Sequence, residues 1–229
     1  MTSDLRLQMF EVSVMGVNAW TPLHEPIFLD TEVGIYCSLL QIPLIPRKVS
    51  YKEIPLTDSN FESMTLKRRE QHAAGRYCLN SAILKAEIHC EKMSETYPLK
   101  IQTKTGIKPI SISHCDSFAV SVLGLNHELI GVDIESKERK ISTSILDQFC
   151  SSKEISELID ISPTERLDTW MAKEAVSKAT GDGMSIAKEI AIEDDYAYYQ
   201  TSIYRIIRHE YAQHKIVIAI YYSDSSVDN

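Results

Sequence analysis

The chain has 229 residues, of which 44% are hydrophobic and 24% are charged, as in an ordinary globular protein. This composition excludes a disordered chain, a collagen and a low-complexity scaffold. The net charge of −8 argues against a general nucleic-acid binder, because such proteins are usually basic. The charge is uneven: residues 1–115 carry 13 basic and 12 acidic side chains, whereas residues 116–229 carry 11 and 20.

The cysteines and the apolar runs predict the cellular location of the protein. The five cysteines are scattered and form no C-x-x-C motif, which argues against a disulfide framework and a structural zinc site. Reduced thiols are typical of the cytosol. Residues 1–10 lack the apolar core of a signal peptide, and the longest apolar run, residues 216–222, is too short to span a bilayer. We therefore expect a cytoplasmic protein that does not enter a membrane.

The first half of the chain contains one long helical pattern. Residues 42–55 hold three prolines and predict a loop or an edge strand. Residues 62–90 lack proline and carry apolar side chains at helical spacing, which predicts a long helix. Residues 93–109 are polar and contain Pro98, Gly106 and Pro109, so turns are expected there.

The second half alternates short strands with capped helices. Residues 110–114, 118–123 and 128–135 are rich in Ile, Val and Leu, and Gly124 and Asn126 predict a hairpin turn between the last two. The sequence Ser-Ser-Lys-Glu at 151–154 is a capping box that predicts a helix start. A second helix is expected from Pro163 to a stop at Gly181. Residues 198–207 and 215–222 predict a terminal β-hairpin.

These elements predict an α+β fold with two lobes. Each half holds one main helix with strands around it, and the halves meet near residues 110–118. We therefore divide the chain into an N-terminal lobe, residues 1–115, with the basic helix 62–90, and a C-terminal lobe, residues 116–229, with the acidic residues described next.

The segment Gly-Val-Asp-Ile-Glu at 131–135 is the most informative stretch. Alternate side chains of a strand share a face, so Asp133 and Glu135 lie together while Val132 and Ile134 enter the core. Two adjacent carboxylates repel each other, and a hard cation such as Mg²⁺ removes that cost. A solvated strand face with two ordinary acids explains the same spacing, because D-x-E is common.

The helix ending at Gly181 carries a second candidate group. Glu174 and Lys178 are four residues apart with the acid first, the favourable order for a helical ion pair, and such a pair needs no further function. The functional alternative makes Glu174 a third metal ligand or a base, with Lys173 and Lys178 facing phosphate groups. Trp170 is expected in the core.

Two further groups could bind anions. Ser113 and His114 belong to a Ser-Ile-Ser-His segment, where the histidine is either structural or a donor to a phosphate oxygen. Four cations lie within ten residues of the long helix, either as a solvated face paired with Glu62 and Glu70 or as a phosphate clamp. They are Lys67, Arg68, Arg69 and Arg76. The glycine-rich loops of the usual nucleotide sites are absent from the sequence.

The order of these motifs resembles the 4′-phosphopantetheinyl transferases of the Sfp/EntD type. The motifs are, in order, K-R-x₆-G-R, S-x-S-H, G-V-D-I-E, F-C-S-S-K-E and W-x-x-K-E-A-x-x-K-x-x-G-x-G, over residues 62–190. This family moves the phosphopantetheine arm of coenzyme A to a serine of an apo carrier protein and releases adenosine 3′,5′-bisphosphate. The carrier is an acyl, peptidyl or aryl carrier protein, or a carrier domain of a synthase. The resemblance implies a monomeric pseudo-dimer of two similar α+β lobes, each with a main helix packed on a small, mostly antiparallel sheet.

The resemblance also implies roles for individual residues. Asp133, Glu135 and Glu174 would hold Mg²⁺, and Glu174 or a water on the metal would be the base. Coenzyme A would contact a set of polar residues, namely Arg68, Arg76, Lys108, Ser113, His114, Lys173 and Lys178. Lys178 would also be catalytic. The run Lys67-Arg68-Arg69 leaves open which of the three cations binds.

The EntD-like basic helix suggests siderophore or polyketide biosynthesis. Two other interpretations remain: a module of the same fold that binds coenzyme A or a carrier protein without transfer, and an unrelated metal-dependent phosphohydrolase. The latter is disfavoured because it does not require the ordered basic helix and the S-x-S-H segment.

Overall fold

The computed structural model describes residues 19–47, 49–50, 54 and 61–222. The strands are β1 (Ile27–Leu29), β2 (Ile35–Gln41), β3 (Cys90–Met93), β4 (Lys100–Thr103), β5 (Gly106–His114), β6 (Phe118–Gly124), β7 (Ile130–Ser136), β8 (Ala191–Glu193), β9 (Tyr196–Tyr199), β10 (Ser202–Tyr211) and β11 (His214–Tyr222). The α-helices are α1 (Leu66–Lys85), α2 (Leu146–Phe149), α3 (Ser152–Leu158) and α4 (Pro163–Thr180). Short 3₁₀ helices occupy Phe61–Ser63, Thr143–Ile145 and Gly183–Glu189.

The strands form two sheets in which all neighbours are antiparallel. The first has the order β1-β2-β6-β5-β4-β3, and the second has the order β7-β11-β10-β9-β8. Helix α1 packs on the first sheet and α4 on the second. The α+β class, with a main helix on each sheet, is confirmed. The chain passes from one sheet to the other between Gly124 and Ile130, and β6 pairs with β2 and β5 of the first sheet. The predicted lobe boundary at residue 115 stays a prediction.

The helix boundaries follow their caps. The hydroxyl of Thr65 accepts a hydrogen bond from the Arg68 amide, so α1 begins at Leu66 and is shorter at both ends than the predicted 62–90. The capping box at Ser151 and the start of α4 at Pro163 are confirmed. Helix α4 ends at Gly181, whose φ of 86° is left-handed, a conformation that suits glycine.

The three predicted strands exist, but the hairpin predicted between the last two is wrong. Strand β6 already has β2 and β5 on its two edges, so β7 pairs with β11 in the other sheet. Residues 93–109, predicted as turns, also contain strand β4 and the start of β5. The fully buried Ile101 holds this hairpin against the core despite the polar residues around it. The terminal hairpin is confirmed as β10–β11, although residues 196–199 form the separate strand β9.

Several other expectations have simple outcomes. Among the described residues of 42–55 there is no strand, only an isolated bridge between Ala19 and Ser50, and the rest of that segment lies outside the described residues. The predicted features of residues 1–10 also lie outside them. All five cysteines are free. In the described ranges, no helix is both long enough and apolar enough to cross a membrane.

A shared core joins the two sheets. Branched side chains of β2 and β6 pack against those of β7 and β11, with Val132 and Ile134 fully buried as predicted. The opposite face of the second sheet packs on α4, where Met171, Ala175 and Val176 are buried. Strand β7 therefore lies between the interior of the molecule and α4, and Asp133, on the α4 side, is buried.

Candidate functional site

Gly131 determines how closely α4 approaches β7. A Cβ atom built on Gly131 would lie 1.9 Å from the carbonyl oxygen of Ala175, so only glycine allows this contact. Asp133 is two residues further along β7 and points to the same side of the sheet. The close approach therefore brings the Glu174 and Lys178 face of α4 over Asp133.

Lys178 lies between two carboxylates at the centre of the site. Its ammonium is 2.8 Å from Asp133 Oδ1 and 3.2 Å from Glu174 Oε1. It also donates to the hydroxyl of Ser113 at 2.9 Å, and that hydroxyl donates to Asp133 Oδ1 at 2.9 Å. Asp133 is 2% exposed, and its second oxygen, Oδ2, is buried without a hydrogen-bond partner among the described residues.

The charge of Lys178 is maintained by its neighbours. Burial acts to lower the pKa of Lys178, but the negative charges of Asp133 and Glu174 act the other way, and the net shift is upward. Lys178 is therefore a cation at neutral pH. Its Glu174 partner belongs to the same helix, so the ion pair predicted from the sequence exists, but it is only one part of a larger network.

A polar cavity of about 350 Å³ opens above this network. Its walls come from α1, β5, α4 and the segment between β3 and β4. The lining residues are Met64, Arg68, Gln71, His72, Arg76, Tyr97, Leu99, Ile112, Ser113, His114, Glu174 and Lys178. The cavity thus combines the basic face of α1 with the Ser113–His114 segment and with the acid and lysine of α4.

His114 is a neutral imidazole in this cavity. Burial and the positive charges of Arg68 and Lys178 lower the pKa of His114 to about 4, with Asp133 opposing the shift. Its Nε2 atom contacts the guanidinium of Arg68 and accepts a hydrogen bond there, so Nδ1 carries the proton. Nδ1 is buried and has no partner in the described part of the chain.

Only one of the three consecutive cations on α1 reaches the cavity. Arg68 lines it. Lys67 is exposed and pairs with Asp116 at 2.8 Å. Arg69 donates to the Met64 carbonyl at 3.0 Å and lies 5.8 Å from the Phe61 ring centroid. Helical geometry points consecutive side chains in different directions, so Arg68 lines the cavity while Lys67 and Arg69 do not. Which of the three binds coenzyme A stays a prediction.

Two further openings share lining residues with the cavity. One, of about 580 Å³, shares Gln71 and His114 with it and is also lined by Glu135 and Arg139. The other, of about 240 Å³, shares Tyr97, Glu174 and Lys178 with it. The three spaces share lining residues, and we refer to them together as the cleft.

The structure brings most of the predicted site residues to this cleft. Those that line it, or bond to a residue that does, are Arg68, Arg76, Ser113, His114, Asp133, Glu135, Glu174 and Lys178. Arg76 is 7% exposed, and its Nη1 donates to the sulfur of Met93.

Lys108 and Lys173 do not reach the cleft. The ammonium of Lys108, near the start of β5, donates to the Leu125 carbonyl at 2.7 Å. Lys173 is fully buried, where it pairs with Glu154 at 2.7 Å and donates to the Ala187 carbonyl at 2.9 Å. Adjacent residues of a helix face about 100° apart, so Lys173 points under α4 while Glu174 points into the cleft.

Trp170 packs as expected, partly buried and edge-on against Phe149 at 5.0 Å between ring centroids.

Cleft residues that the sequence analysis did not propose include Gln71 and Tyr97. Gln71 is three residues after Arg68, so helical spacing was a usable signal. Tyr97 lies between β3 and β4, in the segment 93–109 that was predicted as turns, and no motif marked it.

The three candidate metal ligands are not preassembled. Within the described ranges, no group of three or more His, Cys, Asp or Glu side chains is arranged to hold a metal ion. Asp133 and Glu174 share the Lys178 ammonium, whereas Glu135 contacts the guanidinium of Arg139 and faces the neighbouring space. The donor set nevertheless fits a hard cation, because a positive charge already lies between two carboxylates and Asp133 Oδ2 lacks a partner.

Comparison with known proteins adds a family-level likeness. Residues 129–216 match the model of the 4′-phosphopantetheinyl transferase superfamily. No curated protein matches the chain. The matched segment contains Asp133, Glu135, Glu174 and Lys178 but not α1 or the Ser113–His114 segment. At the level of the superfamily, the match supports a transferase of phosphopantetheine in general terms.

Proposed function

We propose that this protein is a Mg²⁺-dependent 4′-phosphopantetheinyl transferase of the Sfp/EntD type. It would transfer the 4′-phosphopantetheine arm of coenzyme A to a serine of an apo carrier protein or carrier domain. The observation that carries the proposal is the Asp133–Lys178–Glu174 arrangement beneath a basic cleft, within the segment that matches the superfamily. We expect a cytoplasmic monomer that serves siderophore or polyketide biosynthesis.

The cations of the cleft suit the phosphates of coenzyme A. Arg68 and Arg76 present guanidinium groups from α1, and Lys178 presents an ammonium from α4 on the opposite wall. Arginine binds phosphate with two parallel hydrogen bonds, and lysine acts as a point charge. The Nδ1–H of His114 is a further donor, and it has no partner among the described residues. In this proposal these groups bind the nucleotide half and the pyrophosphate.

The carboxylates suit a magnesium ion on the pyrophosphate. Asp133, Glu135 and Glu174 would hold it, and the ion would neutralise phosphate charge during the reaction. In the protein alone, Lys178 and Arg139 already neutralise these acids. Both basic side chains therefore have to turn away from the carboxylates when the ion binds, which frees Lys178 for a phosphate oxygen.

The transfer step can be written with its atoms in balance. The serine oxygen forms a bond to the phosphorus atom that bears the pantetheine arm. The bond from that phosphorus to the bridging oxygen breaks, and adenosine 3′,5′-bisphosphate leaves with the bridging oxygen. We assign the serine proton to Glu174, the carboxylate that lines the main cavity. A carboxylate that holds a metal through one oxygen keeps its second oxygen as a proton acceptor.

Mass spectrometry of a carrier protein tests the function. The protein is incubated with coenzyme A, Mg²⁺ and an apo carrier, and a gain of one phosphopantetheine mass supports transfer. Asp133→Ala and Glu174→Ala should abolish the gain while the circular dichroism spectrum is unchanged. Asp168→Ala is the matched control, because Asp168 also pairs with a lysine, Lys215 at 2.6 Å, but outside the cleft. Coenzyme A binding without transfer to several carriers would instead indicate the non-catalytic module.

A further inference from the structure

We propose that residues 43–46 form a docking surface for the carrier protein; this rests on the proposed function and names where the second substrate makes contact. We call these residues the rim loop. Its sequence is Pro-Leu-Ile-Pro, and the side chains of Leu44 and Ile45 are 81% and 82% exposed. The loop takes no part in the proposed reaction. Adjacent apolar side chains that are both exposed suit contact with another apolar surface.

The carboxylate of Glu70 holds the C-terminal side of the rim loop in place. Glu70, in α1, is buried and accepts hydrogen bonds from the Arg47 amide at 3.0 Å and from Arg47 Nε and Nη2 at 3.0 and 3.1 Å. It also accepts one from the indole of Trp20 at 2.7 Å. Burial acts to raise the pKa of Glu70, but these hydrogen bonds lower it, and the net shift is downward. Glu70 is therefore ionised at neutral pH and binds the Arg47 guanidinium.

The other side of the rim loop is fixed to the edge of the cleft. The amide of the buried Ile42 donates to the Ser117 carbonyl at 2.8 Å, and Ser117 lines the opening of about 580 Å³. Gln71, the residue after the anchor on α1, lines both that opening and the charged cavity, the space of about 350 Å³ described above. Each apolar residue of the loop is two positions from an anchored residue, so its Cα atom lies within about 7 Å of that residue's Cα. The exposed side chains are therefore near the entrance of the cleft.

The prolines and the anchors order the rim loop before a partner binds. Proline fixes one backbone dihedral angle, and the residue before a proline is restricted as well. Prolines at 43 and 46 thus leave the backbone of this short loop few alternatives. A surface that is ordered in advance loses little conformational entropy on docking, so more of the contact energy contributes to affinity.

The surroundings of the loop favour an apolar contact over a charged one. Leu66, the first residue of α1, is also exposed and lies one helical turn before the anchor on the same side of the helix. Of the acids at the neighbouring opening, Asp116 is paired with Lys67 and Glu135 with Arg139. These charges are already neutralised within the protein, so the apolar side chains provide the stronger basis for recognition.

A carrier protein is the partner that this position fits. In the proposed reaction its serine reaches Glu174 inside the cleft, while the rest of the carrier stays outside. A protein that inserts one side chain into a cleft also covers the residues at the entrance. An apolar area beside the serine would then pack on Leu44 and Ile45. Coenzyme A has no comparable need for the loop, because the cations inside the cleft suit its phosphates.

Steady-state kinetics with an apo acyl carrier protein or an apo peptidyl carrier domain as the varied substrate test this inference. The double substitution Leu44→Ser/Ile45→Ser should raise the KM for the carrier about tenfold, while kcat and the Kd of coenzyme A change less than about twofold. Val33→Ser/Ile107→Ser is the matched control. Val33 and Ile107 are also exposed, but they lie at the opposite end of the first sheet from Ile42, and all three constants should stay unchanged.

The outcomes separate this inference from the proposed function. An unchanged KM for the carrier, or an equal rise in the control, would overturn the inference, and so would a loss of coenzyme A affinity. Gel filtration that shows an unmodified dimer and a monomeric double variant would make a second copy of the chain the occupant, which also overturns it. If the unmodified protein transfers nothing to either carrier, the proposed function itself fails, and this inference with it. If the double variant has a lower urea midpoint, Ile45→Asn alone replaces it, with an expected rise of about threefold in the carrier KM.

Discussion

Gly131 of β7 lies directly beneath the carbonyl of Ala175 in α4, with no room for a methyl group between them. This contact determines the distance between the strand that carries Asp133 and the helix that carries Glu174 and Lys178. The bonds from Lys178 to Asp133 and Ser113 exist only at that distance, since they are 2.8 and 2.9 Å long.

Gly131→Ala should therefore damage both stability and activity. The methyl group forces α4 away from β7, at a cost of about 1–3 kcal/mol in the free energy of unfolding. A misplacement of about 1 Å lowers a catalytic rate about hundredfold, so transfer should fall more than stability. Urea denaturation and the carrier mass assay measure the two effects. Gly124→Ala is the control, because its added methyl meets the His127 side chain, which can move. Equal effects of the two substitutions would contradict this account.

Lys178→Met should make the fold sensitive to magnesium. Asp133 and Glu174 would then face each other without a cation, at a cost of about 3 kcal/mol in apo stability. Mg²⁺ should restore much of this loss and stabilise the variant more than the unmodified protein, where Lys178 competes with the ion. The melting temperature over a Mg²⁺ titration is the measurement. Lys215→Met is the control, because its partner Asp168 lies outside the cleft, and Mg²⁺ stabilisation of both variants alike would disprove the assignment.

Arg68→Ala and Lys67→Ala should differ in coenzyme A binding. Arg68 lines the cavity, whereas Lys67 is exposed and paired with Asp116. Loss of a charge-assisted hydrogen bond is expected to raise the dissociation constant about tenfold for Arg68→Ala, with little change for Lys67→Ala. Isothermal titration at constant ionic strength measures both. A larger effect at position 67 would show that α1 presents a different face to the ligand.

Acid should weaken the contact between the two sheets. His214, at the start of β11, is 2.8 Å from the hydroxyl of Ser117, next to β6, and burial lowers the pKa of His214 below its ordinary value of 6.5. The unfolded chain therefore takes up this proton first as the pH falls, and stability that is complete above about pH 6.5 is lost progressively below it.

His214→Asn should reduce this pH dependence. Urea midpoints measured at pH 7 and pH 5 should lie closer together in the variant than in the unmodified protein. The exposed His24 provides the control substitution, His24→Asn, which should leave the difference unchanged. An unaltered pH dependence in His214→Asn would mean that other groups cause the acid loss.

The two sheets should unfold together. Their facing sides form a single core, with Val120 and Val122 of the first sheet against Ile216 and Ile218 of the second. The chain contains two tryptophans, Trp20 beside α1 and Trp170 in α4, so fluorescence can follow each half separately. Trp20→Phe and Trp170→Phe should show urea transitions that coincide with their own circular dichroism transitions. Separate transitions would show that the halves are independent domains.

Local patterns in the sequence predicted the parts of the fold that depend on neighbouring residues. The capping box at Ser151, the start of α4 at Pro163 and its end at Gly181 follow from backbone hydrogen bonds within a few residues, and all are confirmed. Burial of Val132 and Ile134 followed from the alternation of side chains along a strand. The α+β class and the candidate residues Asp133, Glu174 and Lys178 were also evident at this level.

Tertiary structure decided which of these residues meet. The pairing of β7 with β11 rather than β6 depends on which strand edges are already occupied, and no local pattern records that. The same holds for Lys173, which pairs with the distant Glu154 under α4, and for Tyr97, which reaches the cleft because Pro98 packs on Gly181. Sequence patterns report interactions between near neighbours in the chain. The charged cavity is lined by side chains up to 114 positions apart, from Met64 to Lys178, whose contacts depend on packing.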